Sequence, residues 1–305
     1  MPANFAEVWL NRVRKNLTSA TTAPWLDGIS ELDTAVIEVG SGSASESNII
    51  HIPTSSFRPE VLINNITYPI ALQDYTDAEV TIQLDKYQTK VTTLSDDQVM
   101  GASYDRIDSA TKSHTEAILI KKFAKAIHAL APDSNTADTP VLLTTGLPDS
   151  TGRNRMLYED LVALKAAFDK LQIPAKGRRL VLSTDHWNDM LLDRKNFGDQ
   201  LINYKTGDVA PQIAGFEIFQ YVENPLINAT TGAKVVFGVA AGAGDYRASV
   251  AFYIPNVVKK TGLTKQYFAP AAADPENQTN KLNYRHYFIV LPAEKKYIGA
   301  IASGV

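Results

Sequence analysis

The residues best equipped for chemistry in this chain stand close together at Asp185, His186 and Asp189. A carboxylate beside an imidazole can pass a proton, so the trio could serve general acid–base catalysis on a small substrate. The same residues have a plainer use. Ser183 or Thr184 can cap a helix running through Leu192, and Asp185 in its first turn complements the helix dipole. The other histidines, at 51, 114, 128 and 286, are scattered. His114 and His128 would lie about four turns apart on one helix and cannot share a metal. His114 falls on an apolar stripe, the place of a hydrogen-bonded core histidine. With no Cys among 305 residues there is no thiolate nucleophile, no sulfur-based zinc site and no disulfide.

Other chemistries lack their signatures. No Gly-Lys-Ser/Thr triplet, nucleophile elbow or His-Glu-x-x-His occurs. Gly238, Gly242 and Gly244 miss the dinucleotide spacing and read as a flexible loop. Lys259-Lys260 and Lys295-Lys296, with Tyr267, Phe268, Tyr287 and Tyr297 near them, could stack on bases, but alternating aromatics are ordinary strand residues. No catalytic residue, cofactor or metal is expected, and the chain does not read as an enzyme.

Thirty Lys+Arg against thirty-three Asp+Glu give a net charge of -3, so any nucleic-acid contact must be local. A composition 45% hydrophobic and 21% charged excludes disordered and collagen-like classes. The length fits about two domains, or one core with a large insertion. Glu7 interrupts the only apolar run near the N-terminus, and nothing approaches the ~20 apolar residues of a membrane span, so neither export nor a membrane is expected. The sequons at Asn16, Asn65, Asn228 and Asn277 are then chance matches.

Around these residues the periodicity predicts the following elements. Residues 3–17 read as an amphipathic helix, 18–35 as irregular chain and 36–39 as a strand. Strands at 49–53 and 80–91 flank a proline-broken excursion, and an apolar parity shift near Lys86 predicts a bulge where one face changes partner. Such a ribbon cannot bury its own apolar face and needs another chain to lie on. Residues 104–131 form the strongest helix, with Ile107, Ala110, His114, Ala117, Ile120, Ala124 and Ile127 on one stripe. Ile118, Leu119 and Phe123 add a second apolar face, which predicts burial between layers. A short strand at 141–143, a helix at 156–171, a strand at 179–182 and the helix behind Ser183 make an α+β subdomain. Strands follow at 216–221, 234–239, 248–254, 284–291 and 297–301.

The order of these pieces resembles the major capsid proteins of tailed bacteriophages, the Hong Kong ninety-seven type of shell fold. The resemblance rests on the arm around Phe5 and Trp9, the excursion through Tyr68 and Leu72 to Leu84, and the long helix. It rests also on the stretches from Arg179 to Trp187, from Ile213 to Phe219, from Tyr284 to Val290 and from Gly299 to Ala302. It implies an α+β capsid fold with an N-terminal arm (1–35), an extended β-hairpin loop with flanking strands (36–95) and a spine helix (96–134). An inserted axial domain (135–248) and return strands of the peripheral domain (249–305) complete it.

The function implied is structural. Hexamers and pentamers would form an icosahedral phage head around double-stranded DNA, a virion capsid assembled in the bacterial host cytoplasm. The implied partners are further copies of the chain, a portal, packaged DNA bound without specificity and a separate scaffolding or decoration protein. Phe5, Trp9, Arg58, Glu60, Asp77, Lys86 and Lys90 are the expected inter-subunit contacts. Some relatives cross-link Lys to Asn; Lys86, Lys90 and Asn64 stand in a plausible loop for such a bond, and none is assigned to them. Three other readings remain open here: an encapsulin-like nanocompartment shell, a tail-tube or other virion protein, and a soluble α/β enzyme with a site near Asp185 and His186.

Overall fold

A computed structural model describes residues 23–32, 49–54, 59–75, 78–96, 106–193, 202–203, 208–274 and 276–305. In chain order its elements are β1 (Ile49–Thr54), β2 (Ala78–Gln83), β3 (Asp85–Gln88), β4 (Thr92–Ser95), helix α1 (Arg106–Leu130), β5 (Val141–Leu143), helix α2 (Tyr158–Lys170), β6 (Arg178–Leu182), helix α3 (Thr184–Leu192) and the short β7 (Ile202–Asn203), β8 (Asp208–Val209) and β9 (Gln212–Ile213). They continue with β10 (Phe216–Gln220), β11 (Leu226–Asn228), β12 (Asp245–Arg247), β13 (Ser249–Tyr253), β14 (Val257–Ala269), β15 (Thr279–Pro292) and β16 (Ile298–Ala302). The class is α+β. The helix expected at 3–17 and the strand expected at 36–39 lie outside the described residues.

Six strands form one sheet in the order β5-β16-β13-β6-β10-β9. Leu161, Leu164 and Phe168 share one stripe of α2 and pack on Leu180, Leu182, Phe216, Ala251 and Ile301 of that sheet. Phe168 and Phe216 meet edge to face at 5.4 Å. Gly299 is needed beneath them, because a Cβ there would stand 2.7 Å from the Phe168 ring. Residues 249–253 and 298–302, which the sequence order groups with the return strands, sit at the centre of this sheet. β13 pairs with β6, and β16 runs parallel to β5.

A second sheet has the order β14-β15-β3, with β4 also on β15. Its β14 escapes notice in the sequence because Lys259, Lys260, Thr261 and Lys265 hide the period. The β14–β15 register shifts between Thr261 and Thr264, where a Cβ on Gly262 would stand 2.7 Å from the Tyr287 Cβ, so only glycine fits. β1 pairs with β2 from Ile49↔Gln83 to Thr54↔Ala78, and β3 pairs with β15 instead. The change of partner expected near Lys86 therefore falls at Leu84.

Helix α1 lies on β15. In its first half Thr111, His114, Thr115, Ile118 and Leu119 are buried, while Ala117 and Ile120 face outward. The expected stripe is thus turned by about one residue, because the polar Thr111 and Thr115 take the inner places. From Lys122 onward the helix is enclosed on most sides, with Ala126, Ile127 and Leu130 fully inside. The strand expected at 234–239 is a turn. Only Lys234 makes a bridge, to Ile227, and its amine instead donates to the His128 and Ala131 carbonyls at the end of α1. Gly238 then reverses the chain at a φ of 88°.

Residues 23–32 are a strap joining both sheets. Trp25 is fully buried beside Phe252, Tyr221 and Ile127. The Arg179 guanidinium of β6 donates to the Trp25 and Asp27 carbonyls at 3.0 and 2.6 Å, and Leu32 N donates to the Lys259 carbonyl of β14. Trp25→Ala should therefore cost about 3–5 kcal/mol in urea unfolding of the unassembled subunit. A loss below about 1 kcal/mol would remove the strap from the core.

Candidate assembly surface

The acid–imidazole cluster is a buried fastening. His186 has no exposed surface, and its ring nitrogens meet Ser249 Oγ at 2.7 Å and Ser303 Oγ at 3.0 Å. Asp189 accepts two 2.8 Å bonds from the Arg153 guanidinium and a third from Met156 N. Ser183 Oγ accepts from His186 N, as its cap position predicts, and Asp185 points into solvent. The trio is therefore not assembled for proton transfer to a substrate. Burial lowers the His186 pKa to about 4, with Arg153 adding to the effect and Asp189 opposing it.

The remaining candidates also serve packing. His114 is buried with Nε2 2.8 Å from Thr92 Oγ1 and its ring against Tyr284, as the apolar stripe predicts. His128 reaches the Val235 carbonyl, and His286 holds Thr264 Oγ1 at 2.8 Å. Of the lysine doublets, Lys260 donates to the Leu32 carbonyl, Lys295 pairs with Asp133 and Lys296 with Glu294. Among the described residues no cluster of three or more His, Asp or Glu could hold a metal ion, and no helix is long and apolar enough to cross a membrane.

What the chain exposes is unusual in kind. In the loop between β1 and β2, Val61, Ile63, Ile66 and Leu72 are 78, 83, 92 and 100% exposed. The loop has its own order. Glu60 N donates to the Gln73 side chain across the two legs, and Asn65 bonds Thr67 in both directions. A run of apolar side chains this wet marks a surface that a partner covers. Proline punctuation predicts the loop, and its large apolar residues follow no period.

Of the expected contact residues, Glu60 lies in this loop, and Lys86 and Lys90 are exposed beside a groove of about 720 Å³ between β3 and α1. The structure does not bring Glu60 to either lysine. Phe5, Trp9, Arg58 and Asp77 lie outside the described residues.

The family model for phage capsid protein matches residues 77–302, from the start of the β2 leg to the end of β16. The chain belongs to the phage capsid protein family. It is a structural major capsid protein of the virion, with the Hong Kong ninety-seven type of fold. No curated protein matches it. Among solved structures, the asymmetric unit of the bacteriophage PhiM1 mature capsid superposes with a TM-score of 0.59 at 11% identity, over 92% of this chain and 96% of that one. A structure from Mycobacterium phage Che8 gives 0.55 at 14% identity over 83% and 84%. A virus-like particle from Pyrococcus furiosus gives 0.53 at 8% identity over 97% and 99%. At such identities the structures establish the fold, and the family model establishes the family.

The buried imidazole gives the capsid protein a defined acid response. The folded His186 keeps its proton off until about pH 4, whereas the unfolded one takes it near 6.5. Stability is therefore full above about pH 6.5 and falls as pH drops toward 4, by about 3 kcal/mol from this group. His186→Gln should flatten that part of the pH profile of the unfolding free energy. An unchanged slope would mean the imidazole is not buried neutral.

Proposed function

We propose that this capsid protein assembles into hexamers and pentamers that close an icosahedral phage head around double-stranded DNA. The observation that carries the reading is the apolar loop 59–75, which stands out from the two sheets and needs a neighbouring subunit to dry it. Many modest interfaces of this kind add through multivalency into a stable shell. In this reading residues 1–35 are an arm, 36–95 carry the extended loop, 96–134 hold the spine helix, and 135–248 with β13 and β16 make the axial domain. The rest of 249–305 is peripheral. Phe5, Trp9, Arg58, Glu60, Asp77, Lys86 and Lys90 lie at contacts between subunits.

The role is structural, without catalysis, and His186 acts only as a packed, neutral side chain. Assembly takes place in the bacterial host cytoplasm with a portal and a separate scaffolding or decoration protein, and the DNA is held without sequence preference. A nanocompartment shell is the second reading, and the likeness to the virus-like particle from Pyrococcus furiosus supports the shared fold alone. The match to the phage capsid family supports the first. Nucleic-acid content of purified particles separates them.

Negative-stain electron microscopy of the purified protein, alone and with co-expressed phage proteins, should show closed particles, sheets or rings. A species that stays monomeric with those partners overturns the reading. Replacing residues 59–75 by a short Gly-Ser linker should keep the far-ultraviolet circular dichroism and abolish particles. Normal particles from that variant would remove the loop from assembly.

A further inference from the structure

The strap meets the second sheet at the outer edge of β14. Glu31 bridges Lys259 in parallel, and Leu32 N donates to the Lys259 carbonyl at 2.9 Å. The two faces are distinguished there. Glu31 Oε1 accepts from Thr261 Oγ1 on the α1 side of the sheet, while Leu32 packs on the opposite side with Ile82, Leu84 and Tyr287. Beyond Lys259, among the described residues, β14 pairs only with β15. Its other edge, from Thr261 to Ala269, therefore presents open main-chain groups that an extended segment can take up as one more strand.

Beside that edge lies a buried cation. Lys122 of α1 is 9% exposed, and its amine stands 4.5 Å over the Phe288 ring and 4.8 Å over that of Phe123, with no hydrogen bond or ion pair among the described residues. Burial lowers its pKa to about 8, with Glu31 opposing the fall and Lys259 adding to it. A buried charge is costly until an opposite one meets it. Phe288 pairs with Thr261, so Lys122 stands level with the β14 residue two places after Lys259. Continuing the parallel bridge brings Asp33 to that level, two places after Glu31 and on the same face. The residues that follow suit a strand, since Thr34, Val36, Ile37 and Val39 are β-branched. The β14 bulge takes up one extra residue between Thr261 and Thr264, so Lys265 and Tyr267 on the outer face fall beside Val36 and Glu38. Residues 40–48, about 30 Å long when extended, suffice to lead back to Ile49 at the ribbon base.

We propose that residues 33–39 of this chain add to the open edge of β14 as a parallel strand, with the Asp33 carboxylate on the Lys122 amine and Glu38 beside Lys265. The added strand ties the strap to the sheet that carries the ribbon. It also closes an edge that would otherwise pair with a stray strand of another molecule. Both charge contacts lie within one subunit, so they are independent of the shell reading.

Since the chain has no cysteine, an engineered pair reports one contact. In the full-length, unassembled subunit, Val36→Cys/Lys265→Cys should close an intrachain disulfide on mild oxidation, read by mass spectrometry as a linked peptide pair in the monomer band. Val36→Cys/Gln266→Cys should not, because Gln266 pairs with Tyr284 and turns to the α1 face. No intrachain link in the first variant, at unmodified circular dichroism, overturns the added strand. Links between chains alone place the segment on a second copy and also overturn it. As a second measurement, Asp33→Asn should lower the urea midpoint of the unmodified chain by about 0.5 M and leave that of Lys122→Met unchanged. Equal shifts in both backgrounds would show that Asp33 does not meet Lys122, and the strand as placed is then wrong.

Discussion

The second half of α1 is held by a single mixed core. Ile127 and Leu130 meet Val181, Val250 and Phe252 of the six-stranded sheet, Phe288 and Val290 of the other sheet, and Trp25 of the strap. Neither sheet can bury its inner face without this helix end, and the helix end cannot be dry without both. That explains why α1 is amphipathic at its start and apolar on most sides at its finish. It also explains why Ala23, Trp25, Leu26 and Ile29 are buried in a strap, 23–32, that has little regular structure. The Arg179 guanidinium, anchored on Glu217 at 2.9 Å, fixes the strap carbonyls over that core.

The charged groups inside follow from the same economy of space. Arg153 and Asp189 are buried as a two-bond pair with Asp149 behind, so neither charge is left alone. His186 stands next to them as a neutral ring between two serine hydroxyls, which can each turn to donate or accept. Ser303 and Gly304 close on this group and on Thr144. A polar knot of this type specifies how α3, β13 and the segment after β16 come together, where apolar contacts alone would accept several fits.

Much of this was legible in the sequence wherever one residue type serves one purpose. Periodicity gave α2, β6 and β10 nearly to the residue, and the serine before α3 acts as the cap its type predicts. Legibility failed where a side chain works at a distance. Lys234 looked like the first residue of a strand, yet its amine closes the end of α1. Lys259 and Lys260 looked like a basic surface, yet they hold the strap and mask a thirteen-residue strand. The position of β13 and β16 in the middle of the larger sheet could not be read from order along the chain, because pairing across about 50, 70 and 160 residues leaves no local trace. In the assembly surface, proline and asparagine marked the loop, whereas the groove depends on which edge of β3 is left open.

Leu84 separates two ladders that share one continuous chain. β2 belongs to the ribbon and β3 to the sheet, and no hydrogen-bonded register passes through the residue between them. Its side chain is buried with Ile82 against Tyr287, so the junction is anchored, and among the described residues its backbone stands in neither ladder. A closed container built from one kind of subunit must present the same contact at slightly different angles around fivefold and sixfold axes. At Leu84 the chain changes ladder, while Ile82 and Leu84 together pack the base of the ribbon on Tyr287. The angle at which the ribbon leaves the sheet is therefore set by packing at its base, and a contact that must vary around the shell meets the subunit farther out along the ribbon.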